Sequence, residues 1–134
     1  MPKGESRTQY KRQRNKDNKD RRPQAHAKYI RISDIKARIV LDQIKGKGIE
    51  EARALLLYNP REGARIALKV LNSAVANAEN NLGLNPDDLY VETAYANRGS
   101  SHYSRWRLRA RARGRANRIE RKVSHISVIL NERK

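Results

Sequence analysis

The sequence predicts an α+β fold: three helices packed on a small antiparallel sheet, with a long protruding β-hairpin and a basic N-terminal tail. Three observations carry that expectation. Between Ser33 and Asn81 apolar residues recur at helical spacing in blocks separated by Gly46, Gly48 and Pro60. Around those blocks the period shortens to two, in AHAKYIRI (25–32), LYVETAYA (89–96) and VSHISVIL (123–130). The net charge of +17 is also unevenly distributed, with +6 in residues 1–24 and +9 in 98–122, against +1 in 25–97. A near-neutral body folds without self-repulsion, whereas each basic segment needs solvent or a polyanion to offset its field.

The elements follow in order. Residues 1–24, rich in Lys, Arg, Asn and Asp, bury too little apolar area to offset their ordering entropy, and read as a tail that orders only along a phosphate surface. Residues 25–134 form a single domain, with 98–122 as its extended arm. AHAKYIRI reads as a short strand. Ser33 offers a helix N-cap and Asp34 a charge suited to the helix dipole, and Ile35, Ile39, Val40 and Ile44 supply the inward stripe of a first helix stopped by Gly46. A second helix fits IEEARALLLYN, with Leu55 and Leu56 inward and Pro60 beyond its end. The third, over about 62–81, carries Ala64, Ala67, Leu68, Leu71, Val75 and Ala78 on one stripe, widened by Ile66, Val70 and Ala74. A helix apolar around so much of its circumference is covered on more than one side, and should be the centre of the core. NPDD (85–88) forms a turn into LYVETAYA, and VSHISVIL closes the fold with Ile126, Val128 and Leu130 on one face.

Composition excludes several classes. The chain has no cysteine, so neither a disulfide framework nor a thiolate metal site is open to it. No apolar run approaches the roughly 20 residues that span a bilayer, and the basic N-terminus lacks the apolar centre of a secretory signal. The expectation is therefore an unprocessed chain with no membrane partner. His26, His102 and His125 lack metal-ligand spacing, and no nucleophile–base pair or glycine-rich phosphate loop is present. The sequence thus points away from an enzyme and from any cofactor; a nuclease centred on His102 would lack an orienting acid.

The most informative stretch is RWRLRARARGRANR (105–118), with arginine at every second position from Arg105 to Arg115. On a helix these would scatter around the axis; on a strand they share one side at intervals of about 6.6 Å. Trp106, Leu108, Ala110 and Ala112 would then face the other way. Some 25 residues between two strands is too long for a structureless loop, so a two-stranded projection is expected, its turn near HYSRW (102–106). Arginine suits phosphate because its planar fork binds bidentately and keeps its charge. Charge alone leaves RNA, DNA and acidic protein open. Trp106 and Tyr103 read equally as base-stacking platforms or apolar filler.

GRANRIERKVSHISVIL (114–130), SAVANAENN (73–81) and IRISDIKARIVLDQIKGK (30–47) resemble, in that order from the C-terminus back, the characteristic segments of the family of ribosomal protein twenty-two of the large subunit. The resemblance covers about residues 25–130. It implies a structural constituent of the large ribosomal subunit, at work in the cytoplasm. Its partners would be 23S-type ribosomal RNA, neighbouring subunit proteins and the nascent polypeptide, with no homo-oligomer. The hairpin would line the peptide exit tunnel, and the protein would bridge several RNA domains during assembly. The RNA contacts so implied are Arg31, Lys36, Arg38, Lys45, Lys47, Arg98, Arg105, Arg107, Arg109, Arg111, Arg113, Arg115, Arg118, Arg121 and Lys122. Tyr103, Trp106, Arg107, Leu108 and Arg109 are the candidates for the tunnel-facing tip. Trp106 stands where the family usually has a basic residue and Ala110 where bacterial members usually have proline, and the stretch from Gly99 to Gly114 is slightly longer than usual. An architectural DNA-binding protein shares the charge but none of these three segments.

Overall fold

A computed structural model describes Ser6, Thr8 and residues 22–133; the tail expected over 1–24 otherwise lies outside them. Three strands form the main sheet: β1 (Gln24–Ile30), β2 (Leu89–Arg98) and β5 (Ser124–Glu132), in the antiparallel order β1-β5-β2. The last strand in the chain is the central one, because VSHISVIL is apolar enough to be covered on both faces. Ile126, Val128 and Leu130 are fully buried towards the helices, while Ser127 and Ile129 on the other side are also buried. The sheet begins before β1 proper, since the Leu130 N–H donates to the Pro23 carbonyl at 2.8 Å and Arg22 pairs with Glu92 at 2.7 Å.

Three helices, α1 (Asp34–Ile44), α2 (Ile49–Tyr58) and α3 (Glu62–Asn77), pack on the sheet. Ala64, Ala67, Leu71 and Ala74 are wholly buried on α3, as is Ala78 just after it, and α3 touches β1, β5 and both other helices. The alanines let the backbones approach closely, and this is the central helix the wide apolar stripe predicts. After Asn77 the chain opens into a wider turn, Ala78–Leu82, that ends where Gly83 takes a left-handed φ of 65°. Two asparagines of α3 have local work: Asn77 Nδ2 donates to the Gln24 carbonyl at the start of β1, at 2.9 Å, and Asn72 Oδ1 accepts from Arg53.

Three inward residues are corrected. Ile35 and Ile39 are exposed, because the buried stripe of α1 is Ala37, Val40, Leu41 and Ile44, rotated from the one expected. Leu55 is likewise exposed beside the buried Leu56. Apolar side chains outnumber inward positions on both helices, so periodicity alone admits more than one face. Ser33 occupies the N-cap of α1 without a capping hydrogen bond from its hydroxyl.

β2 and β5 leave the body side by side, and Gly99 closes their end. Its N–H donates to the Val123 carbonyl at 2.8 Å, and a Cβ there would lie 2.7 Å from Val123 Cγ2 and 3.1 Å from that carbonyl oxygen. Val123 is buried, so it has little room to retreat. Gly99→Ala is therefore expected to cost about 1–3 kcal/mol, read as a lowered thermal midpoint; an unchanged midpoint would show that the root of the arm yields freely.

Candidate nucleic-acid interface

Beyond Gly99 a short helical turn, Ser101–Tyr103, leads into β3 (Arg105–Ala110), which pairs with β4 (Ala116–Arg121) in a separate two-stranded sheet. Every residue of β3, and all of β4 except Glu120, is exposed. The six paired residues make roughly 20 Å of ribbon.

The turn is not at HYSRW. It lies at 112–115, where Arg113 and Gly114 both take positive φ, 55° and 69°, and the Arg115 N–H donates to the Ala112 carbonyl at 3.3 Å. Two successive left-handed residues give the mirror-image turn that matches strand twist. His102 and Tyr103 instead sit at the root, where the Ser100 hydroxyl accepts the His102 N–H. The tip is corrected accordingly: Trp106, Arg107, Leu108 and Arg109 lie along the shaft, and Ala112–Arg115 form the apex.

The alternation consequently makes a shorter ladder than the sequence suggests. Arg105 pairs across the ribbon with Arg121, Arg107 with Ile119 and Arg109 with Asn117, so Arg105, Arg107, Arg109 and Arg121 share one face. Trp106, Leu108 and Ala110 share the other with Glu120, Arg118 and Ala116. Arg111, Arg113 and Arg115 belong to the turn and its approaches. Among the described residues no side-chain hydrogen bond or ion pair holds any of these arginines. Their charges are left for a partner.

The other candidates divide. Arg31, Lys36, Arg121 and Lys122 line one cleft between the start of α1, the start of α3 and the root of the arm. Arg61 and Ile39 line it too; the sequence reading missed Arg61, whose only local mark is its place after Pro60 at the start of α3. Lys45 and Lys47 lie at the far end of α1, roughly 14 Å or more along the helix axis from Lys36, and are paired with Asp42 and Glu51. Arg38 donates to the Ala96 carbonyl at 3.2 Å, and Arg98 is held by Glu120 at 2.7 Å. These four are already engaged within the protein.

Among the described residues each histidine has a local structural partner. His26 Nδ1 is bonded to the Ser127 hydroxyl at 2.8 Å, His125 Nδ1 accepts the Tyr29 N–H, and His102 lies edge-on to Tyr103. Among the described residues no group of His, Asp and Glu is placed to hold a metal ion, and no helix is long and apolar enough to cross a membrane.

A near-neutral α+β body carrying an exposed, arginine-edged two-stranded ribbon defines a non-catalytic scaffold class of protein, and comparison with known proteins narrows it. The family described as ribosomal protein L22p/L17e matches residues 25–131. Large ribosomal subunit protein uL22 of Lachnospira eligens is 53% identical over 127 residues, 95% of this chain and 96% of its own length. The protein of the same name from Agathobacter rectalis is 45% identical over 136 residues, covering 99% and 100%. That of Clostridium novyi is 48% identical over 109 residues, covering 81% and 96%. The chain belongs to the L22p/L17e family of ribosomal proteins. It is accordingly a structural constituent of the large ribosomal subunit, not an enzyme, and its partners are the RNA and proteins of that particle. The first two matches extend into the basic tail, which therefore has counterparts in some relatives; the third matches a shorter span.

Proposed function

We propose that the arm binds large-subunit ribosomal RNA, tying several of its segments together during assembly, and that its apex lines the path of the nascent polypeptide. The observation that carries this is the exposed ribbon whose arginines have no side-chain partner within the described protein. Like charges on one face of a two-stranded ribbon repel, and a ribbon without a core cannot absorb that cost; phosphates crossing the ladder cancel it. The cleft holding Arg31, Lys36, Arg61, Arg121 and Lys122 extends the same surface onto the body, so one RNA chain can be gripped at arm and body together.

The basic residues have a division of labour in this reading. Arg105, Arg107 and Arg109 contact phosphate along the shaft, with Arg118 on its other face. Arg111, Arg113 and Arg115 serve the apex, the part furthest from the body and hence the part that faces the tunnel lumen. Arg38, Lys45, Lys47 and Arg98 contribute mainly to the long-range field, since each is bonded internally.

Replacing 107–119 by a short Gly-Ser turn tests the proposal. The truncated protein is expected to keep its circular dichroism per folded residue, because none of the buried core lies in that segment. It is also expected to be lost from large subunits in a high-salt wash that the full chain survives. Retention through the wash would remove the arm from RNA binding, and global unfolding would show that the arm is part of the core.

A further inference from the structure

At the root of the arm four rings gather that the arginine ladder does not use. Tyr29, on edge strand β1, has φ 58°, a left-handed conformation rare for a bulky residue, where the register of β1 against β5 slips between Ala27 and Ile30. The strained backbone is held by a bond from the Tyr29 N–H to His125 Nδ1 at 3.0 Å, with the two rings edge-on at 4.7 Å. Tyr103 reaches it from the turn before β3, the ring centroids 4.3 Å apart and tilted by 46°, and His102 stands edge-on to Tyr103. A brace made only to fix the arm would bury these rings, yet Tyr29 is 47% and Tyr103 57% exposed. Strain held in place to keep two aromatic faces in water marks a binding surface rather than a packing solution.

We propose that Tyr29 and Tyr103 form a stacking platform for an unpaired base of single-stranded RNA. The chemistry favours a nucleotide over an apolar protein segment. Lys28, Arg31 and Arg105, all exposed, lie within two residues of the platform along the chain, placing phosphate-binding charge beside a π-face. Arg105 is also the first rung of the ladder, so a strand tracking the arm passes over the tyrosines. Any base stacks there, because recognition rests on the ring face and not on base edges. This inference rests on the RNA-binding reading of the arm.

The test uses the full chain and a single-stranded oligoribonucleotide carrying one 5-iodouridine. Irradiation of the wild-type complex is expected to give an adduct at Tyr29 or Tyr103. Tyr103→Leu is expected to weaken binding of the unmodified oligonucleotide about 5- to 150-fold, with Tyr103→Phe close to wild type. On an abasic oligonucleotide the Leu and Phe variants should bind alike. Adducts confined to Trp106, or Tyr103→Leu binding as wild type does while salt-dependent affinity persists, would overturn the platform and leave the arm's role intact. Absence of any salt-dependent binding would remove both. A photoreactive residue at 103 that marks a neighbouring protein instead of RNA in assembled subunits would also overturn it.

Discussion

Raising salt from 50 to 200 mM is expected to weaken the complex of this protein with a large-subunit RNA fragment by about 10³- to 10⁵-fold, the loss that accompanies 6–10 phosphate contacts. The arm supplies that number of partners: Arg105, Arg107, Arg109 and Arg121 on one face, Arg118 on the other, and Arg111, Arg113 and Arg115 around the turn. Because no ion pair among the described residues competes for them, each phosphate they neutralise releases counterions, giving a slope of about −0.7 to −0.9 in log K against log salt per contact. Arg107→Ala with Arg109→Ala should flatten the slope by about 1.5. Lys45→Ala with Lys47→Ala should change it less, since those charges are already offset by Asp42 and Glu51. Fluorescence anisotropy across a salt series gives both slopes. A flat wild-type response would exclude phosphate as the ligand of the ladder.

The sequence made the arm legible because alternation is a property of one strand alone. Six arginines at period two have a common face only in an extended chain, and a segment that long between two strands must double back. Where it doubles back was not legible. HYSRW carries serine and an aromatic and looks like a turn, whereas the true turn rests on Arg113 at φ 55°, a conformation that arginine does not advertise. Gly114 was the available signal, since glycine is the preferred second residue of a turn with two left-handed positions. A turn at HYSRW would put Arg111, Arg113 and Arg115 on the ladder and Tyr103 at the tip, whereas the arginines surround the turn at 112–115 and Tyr103 sits at the root.

The same distinction separates the rest of the site. The two strands lining the arm's root and the apolar helix α3 were legible from period, but the cleft that gathers Arg31, Lys36, Arg61, Arg121 and Lys122 depends on three segments meeting. Neither spacing nor composition reports such a meeting. Nor does either show that Arg98 and Arg38 are tied up internally, by Glu120 and by the Ala96 carbonyl. Ile35 and Ile39 illustrate the converse failure, an apolar pair at good helical spacing on a face that the core does not use. Ile39 lines the basic cleft, so its side chain faces that cleft and not the core.

Leu71→Ala is expected to be the most damaging single change to the body, and it separates stability from binding. Leu71 is fully buried in α3, the helix in contact with β1, β5, α1 and α2, where neighbouring alanines leave few side chains able to move into a void. Truncation there costs about 2–5 kcal/mol, against a total of about 5–15 kcal/mol for a domain of this kind, and lowers the thermal midpoint by roughly 8–20 °C. Arg107→Ala with Arg109→Ala should leave the midpoint unchanged or raise it slightly, because it removes repulsion from a ribbon that contributes nothing to the core. At a temperature where Leu71→Ala remains folded, its salt slope should match that of the wild type. Thermal melts and salt titrations on the two variants therefore give opposite patterns if body and arm are energetically distinct. A midpoint for Leu71→Ala within about 2 °C of wild type would mean that α3 is not the centre of the core, and that the arm's root is held by something other than the packing described.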